Sequence, residues 1–318
     1  MKLSELGERS IIDQLKKLYG TIIDDDSFYF KNGKDFILIT TDVITKRTHI
    51  PDNVCPDDAG YFFASLNLSD IAAMGGKPEY FLSAYSMNPN FEFDYFLKFN
   101  RGVKKCLDKY NTMMVGGDTK EGDSFTATGI VLGKVKQEYI MLRRNFKPGQ
   151  ILAVTNYIGK NAAGYYLWKN GIEEGAKKLL EIEPRIPEGF ALSKNGVRAA
   201  MDLSDGIFSS ILQLKKLTGT GFKIYYDKLP FHPLAIEVSN EFKIPLEEIG
   251  LNFGGEYELL FSVDKNKWQP LKEKMREKDI IINEIGETWE GENLIVKDGR
   301  EVIINSHGYE HFERSSLL

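Results

Sequence analysis

The chain has 318 residues, 42% of them hydrophobic and 27% charged, with a formal net charge of -5. That length suits two domains of about 100 to 200 residues each, the composition is globular and not disordered, and the acidic balance argues against a nucleic-acid-binding surface. Two cysteines, Cys55 and Cys106, form no CxxC pair, which removes a disulfide framework and a cysteine zinc site.

The charged stretch Met1–Arg9 lacks the apolar core of a secretion signal. No apolar run reaches the roughly 18 residues that span a bilayer. The expected place is the cytoplasm, with no membrane partner. Ile11, Ile12, Leu15, Leu18 and Tyr19 recur at helical spacing and predict a short amphipathic helix. Three adjacent carboxylates follow it, Asp24, Asp25 and Asp26. They are either a solvated acidic turn or part of a Mg²⁺ site, since Mg²⁺ is commonly held by one or two carboxylates together with substrate phosphates.

Phe36–Ile39, entered after Asn32-Gly33-Lys34, predicts a strand that ends in Thr40-Thr41-Asp42. From Asp57 to Met74 the pattern is helical, with acids in the first turn and Gly75-Gly76-Lys77-Pro78 as the stop. Phe62, Phe63 and Leu66 define the inward face of this helix, and steps of four and seven residues put Asn67 and Asp70 on it. A carboxylate aimed inward is costly unless paired, hydrogen-bonded or metal-bound, so Asp70 is a structural hub or a ligand.

Thr112–Val115 predicts a strand running into Gly116-Gly117-Asp118-Thr119, and Phe125–Val135 predicts another. Asp42 and Asp118 are thus expected just past strand ends, where α/β proteins gather ligands, although Asp is also a common turn former. Pro148-Gly149, within Met141–Gln150, marks the boundary between a domain at 1–140 and one at 141–318. Ile151–Thr155 as strand and Ala162–Trp168 as helix then restart an α/β alternation. Met201-Asp202-Leu203-Ser204-Asp205-Gly206 precedes a helical pattern through Ile207, Ile211 and Leu214. It is either a plain cap and turn or a place for a metal-bound phosphate at a helix N-terminus.

Familiar phosphate motifs do not fit. Gly75-Gly76-Lys77 has Ile71 where GxxxxGK[ST] needs glycine and Pro78 where it needs a hydroxyl. Gly219-Thr220-Gly221 has Ile224 in place of the third glycine of GxGxxG. HExxH and GxSxG are absent, and His49, His232, His307 and His311 are dispersed. Catalysis by Mg²⁺ ions held on carboxylates is what remains.

Asp25-Asp26, Thr40-Thr41-Asp42, Thr48-His49-Ile50, Asn67–Gly75, Gly116–Thr119, Asp202–Gly206, Tyr257-Glu258-Leu259-Leu260-Phe261 and Gly308-Tyr309-Glu310-His311-Phe312 follow one another along nearly the whole chain. In this order they resemble the thiamine-monophosphate kinases. The resemblance implies an α/β (α+β) protein with the two-domain aminoimidazole ribonucleotide synthetase-like fold. Its N-terminal ATP- and Mg²⁺-binding domain would carry a mixed sheet that pairs with its copy in a homodimer, followed by a C-terminal α/β domain. It further implies direct in-line transfer of the ATP γ-phosphoryl group to thiamine monophosphate, giving ADP and thiamine diphosphate.

By motif matching, Asp26, Thr40, Thr41, Asp42, Asp70, Asp118, Asp202 and Asp205 would bind magnesium, and Gly117, Asp118, Arg143 and Ser204 would contact ATP. His49, Glu256 and Tyr309 would contact thiamine monophosphate, with Asp70, Asp118 and Arg143 as the catalytic set. Three features depart from the family pattern: Asp24 stands where glycine is usual, Gln150 replaces an aspartate, and Gly255-Glu256 supplies one acid where two adjacent acids are common. The alternatives are a sister ATP-dependent enzyme of the same fold, such as aminoimidazole ribonucleotide synthetase, and a non-catalytic nucleotide-binding scaffold.

Overall fold

The computed structural model describes residues 3–21 and 23–304; Tyr309 and the 308–312 motif lie outside the described residues. The first half runs α1 (Glu8–Tyr19), β1 (Phe28–Asn32), β2 (Asp35–Thr45), the single turn α2 (Lys46–His49), α3 (Pro56–Ala73), β3 (Lys77–Met87), α4 (Phe93–Lys109), β4 (Met113–Glu121) and β5 (Thr126–Lys136). Its five strands form one mixed sheet in the order β1-β2-β5-β3-β4, with β3 and β4 parallel and the other neighbours antiparallel.

The second half runs β6 (Gln150–Thr155), α5 (Lys160–Lys169), α6 (Glu174–Leu180), α7 (Ile186–Lys194), β7 (Ala199–Asp202), α8 (Ile207–Thr218), β8 (Gly221–Tyr225) and α9 (Pro233–Phe242). It continues through β9 (Leu259–Asp264), α10 (Trp268–Arg276), β10 (Ile282–Trp289), β11 (Leu294–Lys297) and β12 (Arg300–Ile303). These strands form a seven-stranded sheet in the order β12-β11-β8-β10-β6-β9-β7, with β8 and β11 parallel and the rest antiparallel. Among the described residues no helix is long and apolar enough to cross a membrane.

α3 joins the two halves. Pro56 opens it with the preset φ of a first helical residue, Asp57 and Asp58 suit the positive end of its dipole, and the left-handed Gly75 follows its end. Thirteen of its eighteen residues are buried, so it is covered on nearly every side and not on one face alone. Gly60 lets α4 approach: a Cβ there would sit 1.8 Å from the Phe99 carbonyl oxygen, and one at Gly102 equally close to that of Asp57. On its other flank Gly189 of α7 lies against the Ala72 backbone in the same way. One core therefore runs from Leu38, Phe63 and Phe81 into Leu192, Leu259 and Phe261 of the second half.

Two expectations about strand ends change. Asp42 and Asp118 both lie inside strands, not beyond them. β2 continues because Val43-Ile44-Thr45 are β-formers that complete pairing with Thr126–Thr128. β4 continues because Gly117, whose added Cβ would meet the Ser83 carbonyl oxygen at 1.8 Å, lets β3 and β4 pair at close range. Gln150 is buried and structural: it accepts from Ser262 at 2.8 Å and donates to Asp264 at 3.1 Å.

Candidate active site

Alternation along β2 turns Leu38, Thr40, Asp42 and Ile44 toward α3, and Thr41 and Val43 to the opposite face. The phase of β2 is locked to α3 by Asn67. The Asp42 backbone N–H donates to Asn67 Oδ1 at 3.0 Å, and Asn67 Nδ2 donates to the Phe63 carbonyl at 2.9 Å. One turn further along α3, the Thr40 hydroxyl donates to the Asp70 carboxylate. Asp202, the last residue of β7, enters from the other sheet and accepts a 2.7 Å hydrogen bond from Ser69 of α3. Asp26, Asp70 and Asp202 each offer an oxygen, and these oxygens lie within 4.8 Å of one another.

The three N-terminal acids divide. Asp24 points to the surface and pairs with Lys16 of α1. Asp25 accepts the Arg143 backbone N–H at 2.7 Å, and the buried Asp26 accepts from Arg143 Nη2 at 2.5 Å. Arg143 thus fixes the acidic turn from the segment that links the two sheets.

Gathering carboxylates in a partly buried place opposes their ionisation. Burial, then Asp42, Asp202 and Asp26, push Asp70 well above the ordinary carboxylate range, against the Thr40 hydrogen bond. Burial and Asp26 push Asp202 up likewise, against Ser69 and Arg143. Burial, Asp205 and Glu8 raise Asp42 to about 7, and burial raises Asp25 to about 6 against the Arg143 amide. On Arg143 burial alone would ease deprotonation, but Asp26 outweighs it and the guanidinium stays charged.

The donor set fits a hard divalent cation. All of its side-chain ligands are oxygens, which Mg²⁺ prefers, and mutual repulsion among them is relieved by a positive ion. Asp26 Oδ2 is buried and has no hydrogen-bond partner among the described residues, so a ligand position at the cluster is already desolvated. Asp205 lies close enough to act on Asp42, while Gln213 holds its Oδ2 at 3.3 Å.

Other residues singled out in the sequence stand apart. Thr41 faces away from the cluster, and its hydroxyl donates to the Gly129 carbonyl at 2.8 Å. Asp118 pairs with Ala84 across β4 and β3, level with Thr128 and Val43, on the sheet face opposite Asp42. It is three strands from Asp42, about 14 Å at ordinary strand spacing. It is exposed, and the groups that hold its carboxyl low are the Thr119 amide and Lys120. Ser204 sits beside Asp205 before α8, where its carbonyl accepts the Gly255 N–H at 2.6 Å. His49 ends α2 with Nδ1 2.6 Å from the Thr48 hydroxyl and 3.3 Å from the Thr45 amide.

Glu256 is buried at the start of α5, where Oε1 accepts the Gly159 N–H at 3.0 Å and the Asn161 and Ala162 amides also bond to it. Burial and Glu258 raise it to about 8 in spite of those amides. Two site residues were not singled out in the sequence. Ser69 was visible only as a small residue beside Asp70, and Tyr257 only as the head of a motif, because its backbone conformation has no sequence signal.

A two-sheet molecule with an acid cluster where the sheets meet defines a class. Models of the AIR synthase related protein N-terminal and C-terminal domains match residues 24–135 and 147–299, and the chain belongs to that family. The thiamine-monophosphate kinase of Buchnera aphidicola subsp. Acyrthosiphon pisum is 33% identical over 303 residues, 92% of each chain. That of Pyrococcus abyssi is 30% identical over 293 residues, 91% of this chain and 90% of its own. The solved structure of AaThiL complexed with AMPPCP and TMP matches with a TM-score of 0.87 at 26% identity, over 98% of this chain and 99% of the other. Within its class, the chain belongs to the thiamine-monophosphate kinase family.

Proposed function

We propose that the chain is a Mg²⁺-dependent kinase that transfers the γ-phosphoryl group of ATP to thiamine monophosphate, giving ADP and thiamine diphosphate. The observation that carries this reading is the convergence of Asp26, Asp70 and Asp202, from both halves of the molecule, within 4.8 Å. Family membership supports the choice of substrates, as does AaThiL, solved with AMPPCP and TMP. Asp26, Asp70 and Asp202 would hold Mg²⁺, with Asp42, Asp205 and Thr40 beside them. Bound Mg²⁺ supplies neutralising charge where two phosphates must approach.

The residues of the chain orient and hold. Thr40 and Ser69 aim the Asp70 and Asp202 carboxylates, and Arg143 holds Asp26 in place. Gly117, Arg143 and Ser204 are assigned to ATP, and His49 and Tyr309 to the acceptor. Glu256 serves the acceptor through the helix start that it caps. The acceptor phosphate is itself an anion and needs little help from a general base, so the carboxylates work as metal holders and not as proton acceptors. The domains are assigned to 1–140 and 141–318, and the compartment is the cytoplasm.

The active unit is a homodimer. The face of the five-stranded sheet away from α3 exposes Phe28, Phe30, Val43, Tyr80 and Met113, a continuous apolar surface of the kind that marks an interface. Asp118 lies on this same face, beyond reach of Asp42 in its own chain. A second copy seated there is the means by which Asp118 serves a metal site.

Purified protein with ATP, Mg²⁺ and thiamine monophosphate tests the activity. Thiamine diphosphate identified by mass, appearing with ADP and abolished by chelation, is the expected result. ATP binding without that product sends the search to the acceptors of the sister enzymes.

A further inference from the structure

Tyr257 is an aromatic residue near the acid cluster whose hydroxyl the proposed reaction leaves without a role. Its position is strongly determined. The Tyr257 N–H donates to the Leu203 carbonyl at 3.0 Å, the Gly255 N–H to Ser204 at 2.6 Å and the Leu203 N–H to Glu258 at 2.8 Å. The loop is thereby laced onto the residues that follow Asp202. The ring meets Phe62 edge-on, with centroids 6.3 Å apart and planes at 80°. Phe62 lies on α3 eight residues before Asp70, and the bonds to Leu203 and Ser204 hold Tyr257 beside the residues that follow Asp202.

The backbone of Tyr257 has φ +52°, a left-handed conformation that a bulky L residue adopts only at an energetic cost and that concentrates at functional sites. The side chain is half-buried, and its hydroxyl makes no hydrogen bond among the described residues. After burial, the groups that act on it most strongly are the carboxylates of Asp42, Asp202, Asp205 and Asp70, and all of them oppose its ionisation.

We propose that the Tyr257 hydroxyl is a substrate-contacting donor of this site, giving its hydrogen bond to a phosphate oxygen held at the acid cluster. This rests on the reading of the site as a Mg²⁺–phosphate site. Phosphate oxygens accept and do not donate, and the fixed polar groups around them here are mostly carboxylates that accept as well. A neutral phenol supplies a further donor without adding charge next to bound metal.

The test is Tyr257→Phe, which keeps the ring against Phe62 and removes the oxygen. Equilibrium binding of a non-hydrolysable ATP analogue and of thiamine monophosphate, each with Mg²⁺, is measured by calorimetry beside the melting temperature and the steady-state constants. The expected result is an unchanged melting temperature and a ten- to hundredfold loss of affinity for one of the two ligands, the range for a hydrogen bond to a charged group. The corresponding KM or kcat should move by the same factor. Wild-type affinity for both ligands in a folded variant overturns the proposal, and does so whether or not the wild-type protein turns over thiamine monophosphate. A wild-type protein that binds the analogue through Tyr257 yet forms no thiamine diphosphate would overturn the reaction and leave the contact standing.

Discussion

Ser69 of α3 donates a 2.7 Å hydrogen bond to Asp202 at the end of β7, joining the five-stranded half of the molecule to the seven-stranded half at the acid cluster. Removing that hydroxyl leaves Asp202 in place but unaimed. Ser69→Ala should weaken Mn²⁺ or Mg²⁺ binding about tenfold, the lower end for a hydrogen bond to a charged group. Titration calorimetry measures this, and unchanged metal affinity would show that Asp202 needs no such aim.

Asp70→Asn keeps the size of the side chain and removes its charge. We expect turnover to fall by about 10² or more, by analogy with the loss of one electrostatic stabiliser, with the far-ultraviolet spectrum unchanged. Near-normal turnover would remove Asp70 from the metal set.

Asp118 gives a prediction in which geometry decides. If it serves the site of a second copy, mixed dimers of Asp70→Asn and Asp118→Asn chains contain one intact site each. Random pairing of the two inactive chains should then restore about a quarter of wild-type activity. If both residues serve one site of one chain, mixing restores nothing.

Arg143 and Asp26 form a buried pair with side-chain exposures of 18% and 0%, where loss of one partner strands the other charge. Arg143→Met should destabilise the fold by about 3–5 kcal/mol. Adding Asp26→Asn should return part of that loss, since the stranded carboxylate is then neutral. Denaturant unfolding of both single variants and the double variant measures the coupling.

Glu256 predicts a pH dependence of stability. Its folded pKa is raised from 4.5 to about 8, so the folded state holds the proton more tightly than the unfolded one. This contribution is complete below the unfolded pKa and is lost as pH rises to and through the folded one, at roughly 1.4 kcal/mol per unit. Glu256→Gln imitates the protonated form, so the wild type should lose stability relative to this variant between about pH 5 and 8. Parallel unfolding curves across that range would contradict the assignment.

Much of the frame was legible in the sequence because it rests on local periodicity. The helix around Asp70 carries its apolar residues at i, i+1 and i+4, and β2 and β5 alternate or run apolar over enough residues to be read as strands. What could not be read is set by tertiary contact. α3 is buried all round because glycines admit neighbours on two flanks, which no single-helix pattern discloses. Asp42 and Asp118 were expected beyond strands because the β-forming runs Phe36–Ile39 and Thr112–Val115 stop before them, but sheet pairing carries both strands past them. The same pairing puts the two acids on opposite faces, a difference of phase that appears only once register is known. The division of Asp24, Asp25 and Asp26 among Lys16, Arg143 and the cluster depends on contacts made across as many as 118 residues of chain.

The most direct test of the central claim is the phosphorus balance of the reaction, followed by ³¹P NMR with ATP, Mg²⁺ and thiamine monophosphate. The account predicts that ADP and thiamine diphosphate grow in equal amounts with no free phosphate, that the acid-cluster variant Asp70→Asn forms both at least about 10² more slowly, and that withdrawal of Mg²⁺ stops both. ADP accompanied by free phosphate, with thiamine monophosphate unchanged, would contradict it.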